Sequence, residues 1–114
     1  MAQLGKRFHN AANAFHEPVS SEYRLRTLTL TDVKNYFLEV SARYARVSGG
    51  GVYLKRADKD FIVQLMALDD HDDPVEISSG RYLGKIYRTK NLDGTFLEFM
   101  GSDEIKISHL KEGF

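Results

Sequence analysis

The hydrophobic pattern of the chain changes period near residue 50. Between residues 33 and 47, Val33, Phe37, Val40, Tyr44 and Val47 recur at i, i+4, i+7, i+11 and i+14, and Tyr36 widens the same stripe. Lys34, Asn35, Glu39, Ala42, Arg43 and Arg46 take the opposite side. This spacing predicts an amphipathic α-helix of about four turns. Thr29 and Asp32 stand where an N-cap and N3 residue form a capping box, with Leu28 and Val33 at the two staple positions. Arg43 and Arg46 suit the negative end of the helix dipole, and Gly49 offers a left-handed stop.

Short strands fill most of the remainder. Residues 21–28 alternate Tyr23, Leu25 and Thr27 with Arg24 and Arg26. Residues 52–57 and 61–68 read as two strands around an Asp58-Lys59-Asp60 turn, and FIVQLMAL should be the most buried of all. Residues 75–77 and 81–88 predict one long bent strand or two short ones, broken at Ser78-Ser79-Gly80. Asn91-Leu92-Asp93-Gly94 reads as a hairpin loop, followed by strands over 95–100 and 105–110. Gly49-Gly50-Gly51 leaves a helix and enters a strand, the reverse of a phosphate cradle, so it reads as a flexible joint.

These elements predict one α+β domain over residues 21–114, with the helix packed on a curved antiparallel sheet of about five strands. Gly80, Gly84 and Gly101 are its candidate corners. The order helix, four strands, tight polar turn, short last strand resembles the small SH3-like or Sm-like barrels. FMGSDEIKISHL, residues 99–110, carries the local likeness, which implies barrel closure and assigns no functional residue.

Residues 1–20 form a separate N-terminal arm. Leu4, Phe8, Ala11, Ala12 and Phe15 fall at helical spacing, on a segment too short and Asn-rich to hold a helix alone. Two readings stand open: an end that docks on its own domain, or an arm that inserts Phe8 and Phe15 into a partner, with a second copy (a homodimer) among the partners.

Composition then removes several chemistries. The 114 residues include no Cys, which excludes disulfides, thiol catalysis and thiolate-bound metals. No apolar run approaches the ~20 residues of a membrane span, and the N-terminus lacks a signal-peptide apolar core. A cytoplasmic protein is the expectation. Net charge is +0, but residues 1–57 hold nine Lys/Arg against four Asp/Glu, and residues 58–114 hold seven against twelve. That asymmetry fits either a basic face for an anionic partner or two halves whose charges interleave.

Candidate chemistry is sparse. Asp69, Asp70, His71, Asp72 and Asp73 are rich in oxygen ligands, but an EF-hand needs glycine and glutamate where Pro74 and Gly80 fall. The four histidines lack metal-ligand spacing, and no nucleophile elbow is present. No metal site, cofactor or catalytic residue is therefore expected, and the chain reads as non-enzymatic. Residues 81–90 interleave cations and rings: Arg81, Lys85 and Tyr87 share one face, and Tyr82 and Arg88 the other. The leading expectation is a protein-interaction module, a regulator, inhibitor or adaptor of a larger assembly, with Phe8, Phe15, Arg81, Lys85, Tyr87 and Arg88 at its contacts. The alternative is a nucleic-acid-binding domain in which Arg81, Lys85, Arg88 and Lys90 track phosphates and Tyr87 stacks on bases.

Overall fold

The computed structural model of the chain describes residues 22–78 and 80–112. The expected arm over residues 1–20, with Phe8 and Phe15, lies outside the described residues. The elements run β1 (Glu22–Leu28), α1 (Leu30–Arg43), β2 (Gly49–Ala57), β3 (Asp60–Leu68), β4 (Glu76–Ser78), β5 (Arg81–Tyr82), β6 (Gly84–Leu92), α2 (Gly94–Met100), β7 (Ile105–His109) and a 3₁₀ turn (Leu110–Glu112). The fold is α+β, with a five-stranded sheet in the order β1-β6-β3-β2-β7 and a separate two-stranded β4-β5 hairpin.

The capping box starts α1 as the sequence predicts. The Thr29 hydroxyl accepts the Asp32 N–H at 3.1 Å, and the Asp32 carboxylate accepts the Thr29 N–H at 3.0 Å. Leu28 and Val33 are both fully buried around it. The helix ends at Arg43, four residues before the end of the apolar stripe, because Tyr44 takes an extended conformation. Val47 still reaches the core, from the connection to β2.

The glycine run is neither a joint nor a helix stop. Gly49, Gly50 and Gly51 open β2 and are buried, and none of them adopts positive φ. A Cβ on Gly50 would lie 2.4 Å from the Phe37 ring, and one on Gly49 would lie 2.6 Å from the Ser108 carbonyl oxygen. Gly50 is therefore the floor on which α1 rests, and its missing side chain sets how closely helix and sheet approach. Phe37 sits there fully buried, in one cluster with Val33, Val40, Val52, Val63, Leu65 and Tyr87.

The sheet is mixed and open, which corrects the expectation of an antiparallel, barrel-like sheet. β1 pairs with β6 in parallel, and every other pairing in the sheet is antiparallel. The reason is the crossover. α1 has 14 residues, about 21 Å at 1.5 Å per residue, enough to carry the chain back along a strand's length. β2 thus starts from the same end as β1, and β6, two antiparallel steps from β2, shares that direction. β1 and β7 occupy opposite edges with no pairing between them, so the SH3-like or Sm-like closure does not form.

Residues 95–100 fold as a helix, where a strand is predicted, and the expected 91–94 hairpin loop does not form. β6 runs through to Leu92, and Asp93 caps α2: its carboxylate accepts the Phe96 N–H at 2.9 Å and the Thr95 hydroxyl at 2.7 Å. Phe96 and Met100, four residues apart on one helical face, are both buried. The long bent strand resolves into β4, β5 and β6, with Gly80 in the β4–β5 turn at φ 72°.

Two measurements test this packing. Phe37→Ala is expected to cost about 3–5 kcal/mol in denaturant melts. Gly50→Ala is expected to cost about 1–3 kcal/mol by overpacking, and less in the Phe37→Ala background, where the ring is gone. Equal costs in both backgrounds would remove the Phe37–Gly50 contact from its role. A second test concerns Asp93, whose carboxyl is held below the usual aspartate range by the Phe96 N–H and the Thr95 hydroxyl. A lowered folded-state pKa adds stability above the unfolded value and loses it as pH falls through the folded one. Amide exchange in α2 should therefore quicken below about pH 4, and Asp93→Asn, still able to cap, should flatten that dependence.

Candidate interaction surface

α1 and α2 both cover the same face of the sheet. Phe96 and Met100 of α2 join Val33, Phe37 and Val40 of α1 in the main core. The opposite face holds a second, smaller cluster of Met66, Leu68, Tyr53, Tyr82, Ile105 and Ile107, to which neither helix contributes. The residues singled out in 81–90 divide between these surroundings. Lys85 and Tyr87 lie on the helix side of β6, Arg88 lies on the other, and Arg81 sits exposed on β5. The strand expected to present them together is therefore divided by its own alternation and by the break at Leu83.

On the helix side, Lys85 lies among tyrosines. Its ammonium is 4.2 Å from the Tyr23 ring centroid, 5.0 Å from Tyr87 and 5.6 Å from Tyr36. Tyr23 of β1 and Tyr87 of β6 are cross-strand partners, with ring centroids 6.2 Å apart. Such cation–π contacts contribute ~0.5–2 kcal/mol, the upper end where water is excluded. No described carboxylate forms an ion pair with Lys85, so the rings supply its electrostatic partner. Burial, then the nearby Tyr87 and Glu39, push the Tyr36 phenol upward from its ordinary value. Tyr36 thus stays neutral at physiological pH.

Lys85 opens into a cleft of about 210 Å³ between the C-terminal half of α1 and the start of β6. Tyr23, Tyr36, Glu39, Arg43 and Tyr44 line it with Lys85. Tyr23 is 45% exposed and Tyr44 39%, two of only five large hydrophobic side chains that the described residues expose. Arg43 reaches Glu39 at 3.5 Å across one exposed helical turn, a pair worth only ~0.3–0.5 kcal/mol. Its guanidinium remains accessible to a partner. Tyr87 is only 6% exposed, so its ring is a floor and is not open to the stacking expected of it.

The other face is basic at one end. Arg24 of β1, Arg88 of β6, Ile62 of β3 and Lys55 of β2 stand in register as one row across the sheet. Arg88 is tied to Asp60 at 3.3 Å, whereas Arg24, Arg26 and Lys55 are exposed. Tyr82 is half-buried against Met66 and Leu68.

The acidic loop spends its oxygens on itself. Asp69 accepts the His71 N–H at 2.8 Å and the Asp73 N–H at 3.0 Å. Asp72, 4% exposed, meets His109 Nε2 at 2.8 Å, which ties the loop to β7. His71 lies apart, exposed beside Asp70. Among the described residues no group of three or more metal-binding side chains converges, and no helix is long and apolar enough to cross a membrane.

Of the residues singled out in the sequence, the structure brings Lys85 and Tyr87 together with Tyr23 and Tyr36, and places Arg43 and Tyr44 at the same cleft as Lys85; none of the latter four was expected as a contact from the sequence. The tyrosines read as core positions of a strand and a helix. Nothing local says that α1 stops at Arg43 and leaves Tyr44 half outside. In comparisons with known proteins, no family model, no curated protein and no solved structure matches this chain.

The cage itself is testable. Lys85→Ala is expected to lower stability by ~0.5–2 kcal/mol in denaturant melts, with Lys85→Arg retaining most of it. An unchanged melt for Lys85→Ala would show that the rings do not hold the ammonium.

Proposed function

We propose that the chain is a small non-enzymatic protein-interaction module whose partner docks at the cleft formed by Tyr23, Tyr36, Arg43, Tyr44 and Lys85. The observation that carries this reading is the convergence of two half-exposed tyrosines, an arginine and a ring-held lysine with no described ion-pair partner in one depression. Tyrosine and arginine dominate the energetics of protein interfaces, because they combine a large buried area with directed polar groups. The rigid support also favours the reading. Tyr23, Lys85 and Tyr87 stand on adjacent paired strands and Tyr36 on the packed helix, so little ordering entropy is lost on docking. The partner's complement is a surface with a carboxylate for Lys85 or Arg43 and an apolar group for the tyrosines. A role as regulator, inhibitor or adaptor of a larger assembly is the corresponding biological reading.

The test uses full-length protein carrying a photo-crosslinking residue at Ala42 on α1, in nuclease-treated host extract. The captured protein is then purified and titrated. Arg43→Ala/Tyr44→Ala is expected to weaken its binding at least 30-fold, about 2 kcal/mol. Both side chains are exposed, so the variant should melt like wild type. Capture that occurs only before nuclease treatment would replace this reading with the nucleic-acid alternative.

A further inference from the structure

β1 is an edge strand of an unusual kind. Among the described residues, β6 lies on one side of it and no strand on the other, and its seven residues contain neither proline nor glycine. Such a strand presents a row of backbone N–H and C=O groups to any extended chain. Its two sides differ. Tyr23, Leu25 and Thr27 point toward the helix side by register with Tyr87, Thr89 and Asn91, and Arg24 points to the opposite side with Arg88. Arg26 falls on the same side as Arg24 by alternation. Both arginines are exposed, and neither forms an ion pair with a described carboxylate. Arg24 also lies beside Arg88, whose own charge is offset by Asp60 at 3.3 Å, so the positive charge exposed at the edge is that of Arg24 and Arg26.

We infer that β1 accepts an added β-strand from a partner protein, an extended segment in which acidic residues alternate with apolar ones. The inference rests on the protein-interaction reading above and names the partner's chemistry. Main-chain bonds to β1 would supply affinity, and alternate side chains specificity. The acids would stand beside Arg24 and Arg26, and the apolar residues beside Tyr23 and Leu25, next to the Lys85 cleft. The same arginines select against a second copy of this chain at that edge. Antiparallel pairing about Leu25 would set Arg24 against Arg26 of the other copy, and parallel in-register pairing would set each against itself. A peptide with acids at every second position reverses that repulsion.

The experiment uses isotope-labelled full-length protein and three labelled probes: a heptapeptide of alternating valine and glutamate, its valine–lysine counterpart, and a 15-nucleotide oligo-dT. Anisotropy measures affinity, and amide shifts locate the contact. The glutamate peptide is expected to bind at least tenfold tighter than the lysine peptide and to weaken as salt rises. Its largest amide shifts should fall within residues 23–28. Arg24→Glu/Arg26→Glu, with both changes on exposed side chains, should reverse the preference between peptides without changing the melt. Equal affinity for the two peptides, or shifts centred on β7, would overturn the inference. Oligo-dT binding tighter than the glutamate peptide and lost in the double variant would reassign the edge to nucleic acid. If the natural partner depends on Arg43 and Tyr44 while the β1 variant is silent, this inference fails and the cleft reading stands. If neither variant matters to that partner, both fail.

Discussion

The contact on which the rest of the structure depends is the Phe37 ring lying on the bare backbone of Gly50. At that point helix and sheet approach more closely than any side chain on β2 would permit. Interior packing is dense enough that the position of one ring constrains its neighbours. Here the neighbours are Val33 and Val40 one turn to either side, and Val52, Val63, Leu65 and Tyr87 beneath. Glycine is a poor strand former, and its presence three times at the start of β2 weakens that strand locally. The loss is offset by what the close approach buries.

That same contact places the candidate surface. Tyr36 immediately precedes Phe37 on α1, and Arg43 and Tyr44 lie beyond them at the helix end. Where α1 rests therefore decides how far these groups stand from Lys85 on β6. Tyr23 comes from β1, which is held in parallel against β6 because the crossover returns the chain in the same direction. A glycine, a helix stop, a crossover and a parallel pairing thus together shape one depression. A lysine held by rings beside two half-exposed tyrosines is the observation behind the docking role proposed for the cleft.

Charge follows the architecture as well. The chain is neutral overall, yet Arg24, Arg26 and Lys55 gather on the helix-free face with Arg88, while the acids collect in the 69–73 loop and around residues 93–104. The neutral sum conceals this division. In the acidic loop the Asp69 carboxylate accepts two of the loop's own backbone N–H groups, and Asp72 reaches His109. On the basic side Arg88 is tied to Asp60, whereas Arg24 and Arg26 form no ion pair with a described carboxylate. That difference is why the proposed interactions are placed at β1 and the adjoining cleft, and not at the denser cluster of charges.

Local signals were sufficient for several elements. The start of α1 was legible because a capping box is a four-residue device whose bonds form within the helix's own first turn. Its buried stripe was legible because a 3.6 period needs no knowledge of the partner. The burial of FIVQLMAL followed from an apolar run with almost no alternation. Other elements depended on tertiary context. TFLEFM carries apolar residues compatible with either period, and only the Asp93 cap and the pocket that takes Phe96 and Met100 decide for a helix. The three glycines resemble a joint until Phe37 is placed above them. Parallel pairing of β1, and hence an open sheet in place of a barrel, depends on strands β2, β3 and β6, which are 21 or more residues away in sequence. The cleft is of the same kind. Tyr23, Tyr36, Tyr44 and Lys85 are spread over 63 positions, and no spacing rule joins residues that meet only after a helix has crossed a sheet. What sequence determines here is each element's inward face; which residues share the outward surface is decided by topology.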